Sequence, residues 1–177
     1  NIQALLQCGI EDITVTTNYL ADKIANHFSG TSVKCVKEPA FLGTIGSAAL
    51  AEIPSRGFSI VMNSDLLTTI SFEDMYLHHI NVGADITIAA ISYQVSVPFA
   101  ILSINQEDQS LVDGLKEKPS YSYFANAGIY IFPNALLKSL PLDQRTDAPD
   151  LIEQAIHGGM KVSYFPINGT WIDIGSP

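Results

Sequence analysis

Asp65 is the first residue in this sequence whose type and position suggest chemistry. It ends the run Phe58-Ser-Ile-Val-Met-Asn-Ser-Asp65, in which apolar, β-forming residues give way abruptly to polar ones. Such a run is typical of a strand buried on both faces of a parallel sheet. Ligands of open α/β sheets bind beyond the carboxyl ends of the strands, where a carboxylate is a ready Mg²⁺ ligand. The competing interpretation is that residues 63–65 only start a loop and cap a helix, and this stretch alone favours it by a small margin.

Three further segments have residue types that could bind a substrate. Leu42–Gly46 is a glycine-bearing loop whose backbone N–H groups suit a phosphate or a nucleobase edge, although a tight turn explains it equally well. Lys116–Pro119 is a charged stretch, for which a solvated loop is the usual explanation. Trp171–Gly175 sets Asp173 among apolar residues. Because a mostly buried carboxylate needs a partner, a metal-binding or hydrogen-bonding role is favoured for Asp173.

The composition predicts one globular domain. The chain has 177 residues, of which 47% are hydrophobic and 15% charged, which suits a sizeable core. Its formal net charge of −9 argues against a nucleic-acid partner, which usually requires a basic surface. No apolar run approaches the roughly 18 residues that a membrane-spanning helix needs. We therefore predict neither a nucleic-acid nor a membrane partner.

The cysteines and histidines show no metal-ligand spacing. Cys8 and Cys35 are expected to be ordinary buried thiols, which is consistent with a reducing cytoplasm. For the histidines we expect surface or helix-end positions. These are His27, His78, His79 and His157.

The segments that must position these residues alternate between strand and helix over the first eighty residues, which is typical of βαβ units and a doubly wound parallel sheet. The predicted strands are Ile13–Thr17, Val33–Lys37 and Phe58–Ser64. The predicted helices follow a cap at Asn18, cover Ala48–Ile53, and extend from a capping box at Ser71 to Asn81. The second half contains mainly strands, with short helices after Pro133 and Pro149. One α/β domain with an appended antiparallel part is therefore expected.

Five segments, taken together, resemble one family in their order and spacing. They are Leu42–Ser47, Val61–Leu66, Glu117–Pro119, Asn126–Tyr130 and Trp171–Gly175. Each is modest alone, but the series is similar to that of sugar-1-phosphate nucleotidyltransferases along nearly the whole chain. Tyr93–Pro98 and Asp147–Leu151 look most like the mannose-1-phosphate guanylyltransferase-like branch, some members of which carry an N-terminal pair of regulatory CBS modules.

The resemblance implies a fold and an activity. The fold would be a Rossmann-like, mostly parallel mixed sheet with helices on both faces and a small antiparallel sugar-binding part, in a single domain over residues 1–177. The activity would be transfer of a nucleoside monophosphate from an NTP to a sugar-1-phosphate, giving an NDP-sugar and pyrophosphate. GTP and mannose-1-phosphate are the first candidates, and the product would serve surface-polysaccharide or glycoconjugate synthesis.

The resemblance also implies residue roles. Asp65 and Asp173 would hold the catalytic Mg²⁺, and Lys118 would sit near the sugar phosphate. The nucleotide would contact Leu42, Gly43, Thr44 and Asn63. The sugar pocket would be formed by Glu117, Asn126, Gly128, Phe99, Ala100 and Trp171.

The sequence departs from the family pattern in three respects. Ser64 replaces a glycine, and Phe99-Ala100 replaces Tyr-Gly beside the sugar. The Gly-rich signature loop, with its Arg and Lys, is absent, so we expect an N-terminally truncated domain that lacks about 30 residues or more. The missing strand would lie between Ile13–Thr17 and Phe58–Ser64.

Two expectations follow from these departures. The 177-residue chain alone would be inactive, and the gap would be closed by rearrangement or by a partner chain. The alternative function is that of a non-catalytic relative that binds nucleotide or sugar as a regulatory subunit. Whether the protein forms a homo-oligomer is left open.

Overall fold

The computed structural model describes residues 1–175, along which helices and strands alternate. The α-helices are α1 (Ile2–Gln7), α2 (Ala21–His27), α3 (Phe72–Val82), α4 (Asn134–Lys138) and α5 (Ala148–His157). The strands of the first half are β1 (Thr14–Thr17), β2 (Lys34–Lys37), β3 (Phe58–Met62), β4 (Leu66–Thr68) and β5 (Ile86–Ser96). The later strands are β6 (Ile101–Ile104), β7 (Val112–Lys116), β8 (Ser120–Pro133), β9 (Val162–Pro166) and β10 (Trp171–Asp173).

The central sheet has the strand order β3-β8-β5-β9. β3 and β5 both pair antiparallel with β8, and β9 pairs parallel with β5. Three of the four strands therefore run in one direction, and β8 runs against them between two of its neighbours. The predicted mixed α/β sheet is confirmed. The expectation that β3 is buried on both faces of a parallel sheet was wrong, because β3 is only half-buried at one edge of this sheet and pairs antiparallel.

Helices cover both faces of this sheet, as predicted. Along β8, Ile129 and Ile131 belong to one buried cluster with Met75 of α3, while Tyr130 and Phe132 belong to a second cluster. The second cluster includes residues of α4 and α5. Successive side chains of a strand point to opposite faces, so a continuous apolar run fills two cores at once. These cores fix β3 and β8, and the candidate pocket described below lies after the end of β3 and beside the middle of β8.

β1 and β2 form a separate parallel pair. In the described residues β1 pairs with no strand except β2, and β3 with none except β8. No strand of this part of the chain lies between β1 and β3, so the expected rearrangement is not observed here. Closure by a partner chain stays a prediction.

The antiparallel part consists of the β6–β7 hairpin and the outer halves of β5 and β8. The β5–β8 ladder shifts register between Ile88 and Ala90, which is a bulge. Beyond this bulge, most side chains of both strands are exposed. The arm therefore projects from the two packed cores.

Two helix predictions need correction. Asn18 does not cap α2, because this helix begins at Ala21 after Leu20, which has a left-handed φ of 56° and makes no side-chain cap bond. The predicted helix over Ala48–Ile53 is a 3₁₀ helix over Gly46–Leu50. The capping prediction at Ser71 is confirmed, since its hydroxyl accepts a hydrogen bond from the Asp74 N–H at 3.1 Å.

The cysteine and histidine predictions were partly wrong. Cys8 is exposed at the end of α1, and Cys35 is half-buried on β2. His79 is fully buried, because it lies on the face of α3 that packs against the sheet, where its Nδ1 is 2.8 Å from the Thr87 hydroxyl. Within residues 1–175, no helix has the length and apolar character required to cross a bilayer.

Candidate active site

A pocket of about 220 Å³ opens where β3, the middle of β8 and β10 meet. Six of the predicted site residues line it: Thr44, Asn63, Asn126, Gly128, Trp171 and Asp173. A larger, open depression of about 490 Å³ lies along α2 between Tyr19 and Phe28. It contains no predicted site residue and no carboxylate, whereas the smaller pocket brings together polar residues from distant parts of the chain. The smaller pocket is therefore the candidate site.

The two predicted metal ligands lie close together at the edge of this pocket, which Asp173 lines and Asp65 does not. Both are exposed, so the expectation that Asp173 is mostly buried was wrong. β10 pairs antiparallel with β4, which places Asp173 opposite Leu66, and the Ile174 N–H donates to the Asp65 carbonyl at 2.9 Å. A Cβ built on Gly175 would collide with Asp65 Oδ2 and lie 3.3 Å from Asp173 Oδ1. Both carboxylates thus reach the same point, which only a glycine leaves open.

This donor set suits a hard divalent cation. Mg²⁺ in proteins is commonly bound through one or two carboxylates, with substrate phosphates and water completing the shell. Across residues 1–175 there is no group of three or more His, Cys, Asp or Glu side chains that could hold a metal by themselves. Two convergent carboxylates therefore fit a metal that a phosphorylated substrate helps to bind.

The wall of the pocket is a hydrogen-bonded unit centred on Gly128. Asn126 Oδ1 accepts a bond from the Gly128 N–H at 2.9 Å, and the Gly128 carbonyl accepts one from the Asn63 N–H at 2.9 Å. Gly128 has a φ of 71°, and a Cβ there would lie 2.7 Å from Asn63 Nδ2. The indole N–H of Trp171 donates to the Ala127 carbonyl at 2.9 Å. The structure thus brings these four predicted residues together.

Tyr130 is a pocket residue that the sequence did not predict. Its hydroxyl accepts a bond from Asn126 Nδ2 at 2.9 Å, which orients the amide of Asn126. Burial raises the pKa of the Tyr130 phenol, and the Asn126 amide opposes this shift. In the sequence, Tyr130 is one more apolar-run residue of β8, and no local signal marks its hydroxyl.

The glycine loop reaches the pocket through Thr44, while Leu42 and Gly43 are buried beneath it. The loop is bonded to the segment before α5. The Thr146 N–H donates to the Leu42 carbonyl at 2.9 Å, and the Thr146 carbonyl accepts bonds from the N–H groups of Ile45 and Gly46 at 3.2 Å each. Two loops a hundred residues apart in sequence therefore form one side of the site.

Asp147 also contacts this loop, although no role in the site was predicted for it. Its Oδ1 accepts a bond from the Thr44 N–H at 2.9 Å, and the Arg145 guanidinium lies 2.9 Å from its Oδ2. The Thr44 N–H is the main cause of a lowered pKa of the Asp147 carboxyl; partial burial opposes the shift, and Arg145 reinforces it. Asp147 is therefore held in its ionised form.

Besides Leu42 and Gly43, four residues predicted to contact the sugar phosphate do not line the pocket. Glu117 and Lys118 are exposed in the turn between β7 and β8, where Lys118 has a φ of 37°. Phe99 and Ala100 are exposed between β5 and β6, with 73% of Phe99 accessible. All four belong to the projecting arm, and their roles remain predictions.

Comparison with known proteins gives a consistent result. The model of the family described as "Nucleotidyl transferase" matches residues 1–177. Mannose-1-phosphate guanyltransferase of Gibberella zeae is 28% identical over an alignment that covers 99% of this chain and 51% of the relative. Mannose-1-phosphate guanyltransferase beta-A of Xenopus laevis is 26% identical, with the same coverage. The chain thus spans about half the length of these relatives.

Solved structures share the fold. HddC from Yersinia pseudotuberculosis superimposes with a TM-score of 0.70 at 21% identity, covering 99% of this chain and 78% of that one. A second structure of HddC, complexed with GMP-PN, gives a TM-score of 0.67 at 20% identity, with the same coverage. Since the family model covers the full length, this chain belongs to the nucleotidyl transferase family.

Proposed function

We propose that the full-length protein transfers a nucleoside monophosphate from an NTP to a sugar-1-phosphate and releases pyrophosphate. The observation that carries this proposal is the convergence of Asp65 and Asp173 at the mouth of a polar pocket, with Thr44 of the glycine loop on another wall. A loop that would bind the nucleotide and a carboxylate pair that would bind a metal, placed around one pocket, suit a reaction at the phosphate between base and sugar.

GTP and mannose-1-phosphate are the proposed substrates to test first. The support comes from the names of relatives that match nearly the whole chain, which are mannose-1-phosphate guanyltransferases. The NDP-sugar product would be consumed by glycosyl transfer in polysaccharide or glycoconjugate synthesis, and we place the reaction in the cytoplasm.

Asp65 and Asp173 would hold the divalent metal, which we propose is Mg²⁺. When bound, the metal neutralises phosphate charge and orients the triphosphate. The two carboxylates approach from different segments, so the residues after β3 and those of β10 must stay paired to present them together. The backbone bond from Ile174 to Asp65 maintains that pairing.

The remaining residues of the pocket would position the reactants. An oxygen of the sugar phosphate attacks the α-phosphorus in line, the new P–O bond forms, and the bond to the pyrophosphate oxygen breaks. We propose that the transfer is direct and is driven by positioning and charge neutralisation rather than by a covalent enzyme intermediate.

The sugar side of the site would be completed by the projecting arm. Asn126, Gly128 and Trp171 already line the pocket, while Glu117, Lys118 and the Phe99-Ala100 segment lie outside it. We propose that Lys118 approaches the sugar phosphate, and Glu117 the sugar hydroxyls, when the substrate is bound.

A pyrophosphate-release assay of the full-length protein tests the proposed function. GTP, ATP, UTP and dTTP would each be combined with mannose-1-phosphate and glucose-1-phosphate, with Mg²⁺ and with excess EDTA. We expect Mg²⁺-dependent release with one preferred pair. Absence of release for every pair would reject the proposed activity.

The exposed position of Glu117 and Lys118 favours a second candidate, a non-catalytic relative that binds nucleotide or sugar. Such a protein would bind an NTP or an NDP-sugar in isothermal titration but release no pyrophosphate. Turnover with any substrate pair would exclude this candidate.

A further inference from the structure

Thr44 makes one hydrogen bond with Asp147 and one with Ala148, which lie 103 and 104 positions later in the sequence. The Thr44 N–H donates to Asp147 Oδ1 at 2.9 Å, and the Thr44 hydroxyl accepts a bond from the Ala148 N–H at 2.8 Å. We call this pair of bonds the Thr44–Asp147 clasp. It joins the glycine loop to the first turn of α5.

The clasp replaces the bonds that normally cap a helix. Asp147 is the N-cap residue of α5, but its side chain makes no cap bond to its own helix. An N-cap carboxylate ordinarily accepts a bond from an N–H in the first turn. Here the Thr44 hydroxyl accepts the bond from the first N–H of the helix, that of Ala148. The Asp147 carboxylate accepts a bond from the Thr44 N–H instead of one from its own helix. Capping of α5 alone would not require a residue of the glycine loop.

The backbones of the two segments are in close contact at the clasp. Gly43 has a φ of 84°, and a Cβ there would collide with the Thr146 carbonyl and lie 2.8 Å from Asp147 Oδ1. A Cβ on Gly46 would lie 3.2 Å from the Gln144 carbonyl. The loop therefore has little freedom to move unless the Asp147 segment moves with it.

Arg145 holds the carboxylate from its other side. Its Nε and Nη2 lie 3.1 and 2.9 Å from Asp147 Oδ2, and its guanidinium lies 5.3 Å from the centre of the Phe41 ring. The Arg145 side chain is 62% exposed and that of Asp147 26% exposed. Water screens this ion pair, so the bond to the Thr44 N–H is the stronger constraint on Asp147.

We propose that Asp147 is a positioning residue for nucleotide binding, which acts through the Thr44–Asp147 clasp. It keeps the Leu42–Thr44 backbone in the conformation that receives the base and keeps the Thr44 side chain directed to α5. Asp147 itself does not line the pocket, whereas Thr44 does. This inference rests on the proposed function, because it requires a nucleotide at the glycine loop.

Variants of the full-length protein test the inference. Asp147→Ala removes the acceptor, and Asp147→Asn retains an oxygen in the same place. Asp150→Ala is the matched control, because it removes a carboxylate from the first turn of the same helix without touching the clasp. The measurements are the KM for NTP, the KM for sugar-1-phosphate, the dissociation constant of the NTP, and hydrogen exchange of segment 42–47.

We expect Asp147→Ala to raise the KM and the dissociation constant for NTP about tenfold, as loss of a bond to a charged group implies. The KM for sugar-1-phosphate should stay within about twofold, and exchange of the Thr44 amide should accelerate. Asp147→Asn should recover most of the nucleotide affinity, and Asp150→Ala should change neither nucleotide binding nor exchange.

Two results would overturn the inference. One is unchanged NTP affinity in Asp147→Ala; the other is an equal loss of affinity for both substrates, which would indicate general destabilisation. A wild-type protein that neither binds nor converts any NTP would reject the proposed function. Hydrogen exchange still tests the clasp in that case. If the Thr44 amide exchanged at the same rate in the wild type and in Asp147→Ala, Asp147 would not hold the loop.

Discussion

The glycine loop and the projecting arm differ in how firmly they are packed against the rest of the chain. The glycine loop is bonded to Thr146 and Asp147 and buries Leu42 and Gly43. The projecting arm, which consists of the β6–β7 hairpin and the outer halves of β5 and β8, leaves Phe99, Glu117 and Lys118 exposed. The loop, where we propose that the nucleotide binds, is thus preformed, whereas the arm, where we propose that the sugar binds, lacks comparable packing.

This difference has an energetic reason. The loop is held by backbone bonds to a segment that continues into α5, and α5 packs on one of the two cores. The arm's bonds are mainly those of its own ladders, and its side chains bury little apolar area. Regions with few buried contacts are the ones that open locally. We therefore expect substitutions in the loop to change nucleotide affinity and fold together, and substitutions in the arm to change sugar binding alone.

The largest effect is expected at Asp65 and Asp173, because the metal that they would hold is needed for the reaction of both substrates. Asp65→Asn and Asp173→Asn should each lower kcat/KM by about a hundredfold or more, because each removes a proposed metal ligand and its charge. Pyrophosphate release at saturating Mg²⁺ measures this. Glu153→Gln, an exposed carboxylate on α5, is the control and should keep wild-type turnover. Near-normal turnover in both aspartate variants would refute the metal assignment.

Gly43→Ala tests the preformed glycine loop. Alanine at this position would have to adopt a φ of 84°, and its Cβ would collide with the Thr146 carbonyl. We therefore expect about a tenfold loss of NTP affinity and a lower melting temperature. Gly30→Ala is the control, because Gly30 has a φ of 79° with nothing within 4 Å of its Cβ. It should lower stability only. Equal NTP affinities of the two variants would contradict the close-contact explanation.

Glu117→Ala and Lys118→Ala test the projecting arm. Each should raise the KM for sugar-1-phosphate severalfold, about 1 kcal/mol for one lost polar contact, with unchanged NTP affinity and melting temperature. Steady-state kinetics with each substrate varied separately would measure this. Lys23→Ala, an exposed lysine on α2, is the charge-matched control for Lys118. A loss of stability in the arm variants would mean that the arm is as well packed as the loop.

The smallest effect is expected from His79, which lies on α3 and contacts Phe58 of β3 and Thr87 of β5. Burial lowers the pKa of His79 from its ordinary value of 6.5, and nearby Asp85 opposes this shift. As the pH falls below 6.5, His79 becomes protonated in the unfolded chain but stays neutral in the folded chain. The free energy of unfolding therefore keeps its full value above this pH and decreases as the pH falls.

Thermal unfolding between pH 7.5 and 5.5 measures this loss. His79→Gln, which does not titrate, should show a shallower decrease of melting temperature over that range. His27→Gln, an exposed histidine on α2, should follow the wild type. If His79→Gln had the wild-type slope, another group would be responsible for the pH dependence.

Much of the scaffold was accessible from the sequence because its signals are local. The apolar run that leads to Asp65 predicts β3, and the spacing of Ser71 and Asp74 predicts the start of α3. Local signals failed at residues 46–53, where a 3₁₀ helix forms as the loop is bonded to Thr146. They also failed at His79, whose burial depends on which face of α3 meets the sheet.

The candidate site divides in the same way. Several site residues were predicted because their residue types and their place in family-like segments can be recognised in the sequence. They include Asp65, Asp173, Asn126 and Thr44. Asp147 and Tyr130 were missed as contributors, since an ordinary helix cap and an ordinary strand residue have the same local pattern.

The sequence by itself predicted most of the strands. Through its resemblance to a family, it also predicted the membership of the nucleotidyl transferase family and the two candidate metal ligands, Asp65 and Asp173. Only the tertiary structure decided that β8 inserts antiparallel between β3 and β5, and that Asp147 holds Thr44. The reason is that strand order and long-range hydrogen bonds depend on which segments meet after folding. The periodicity of each segment indicates which side chains share a face, but it does not specify what that face packs against.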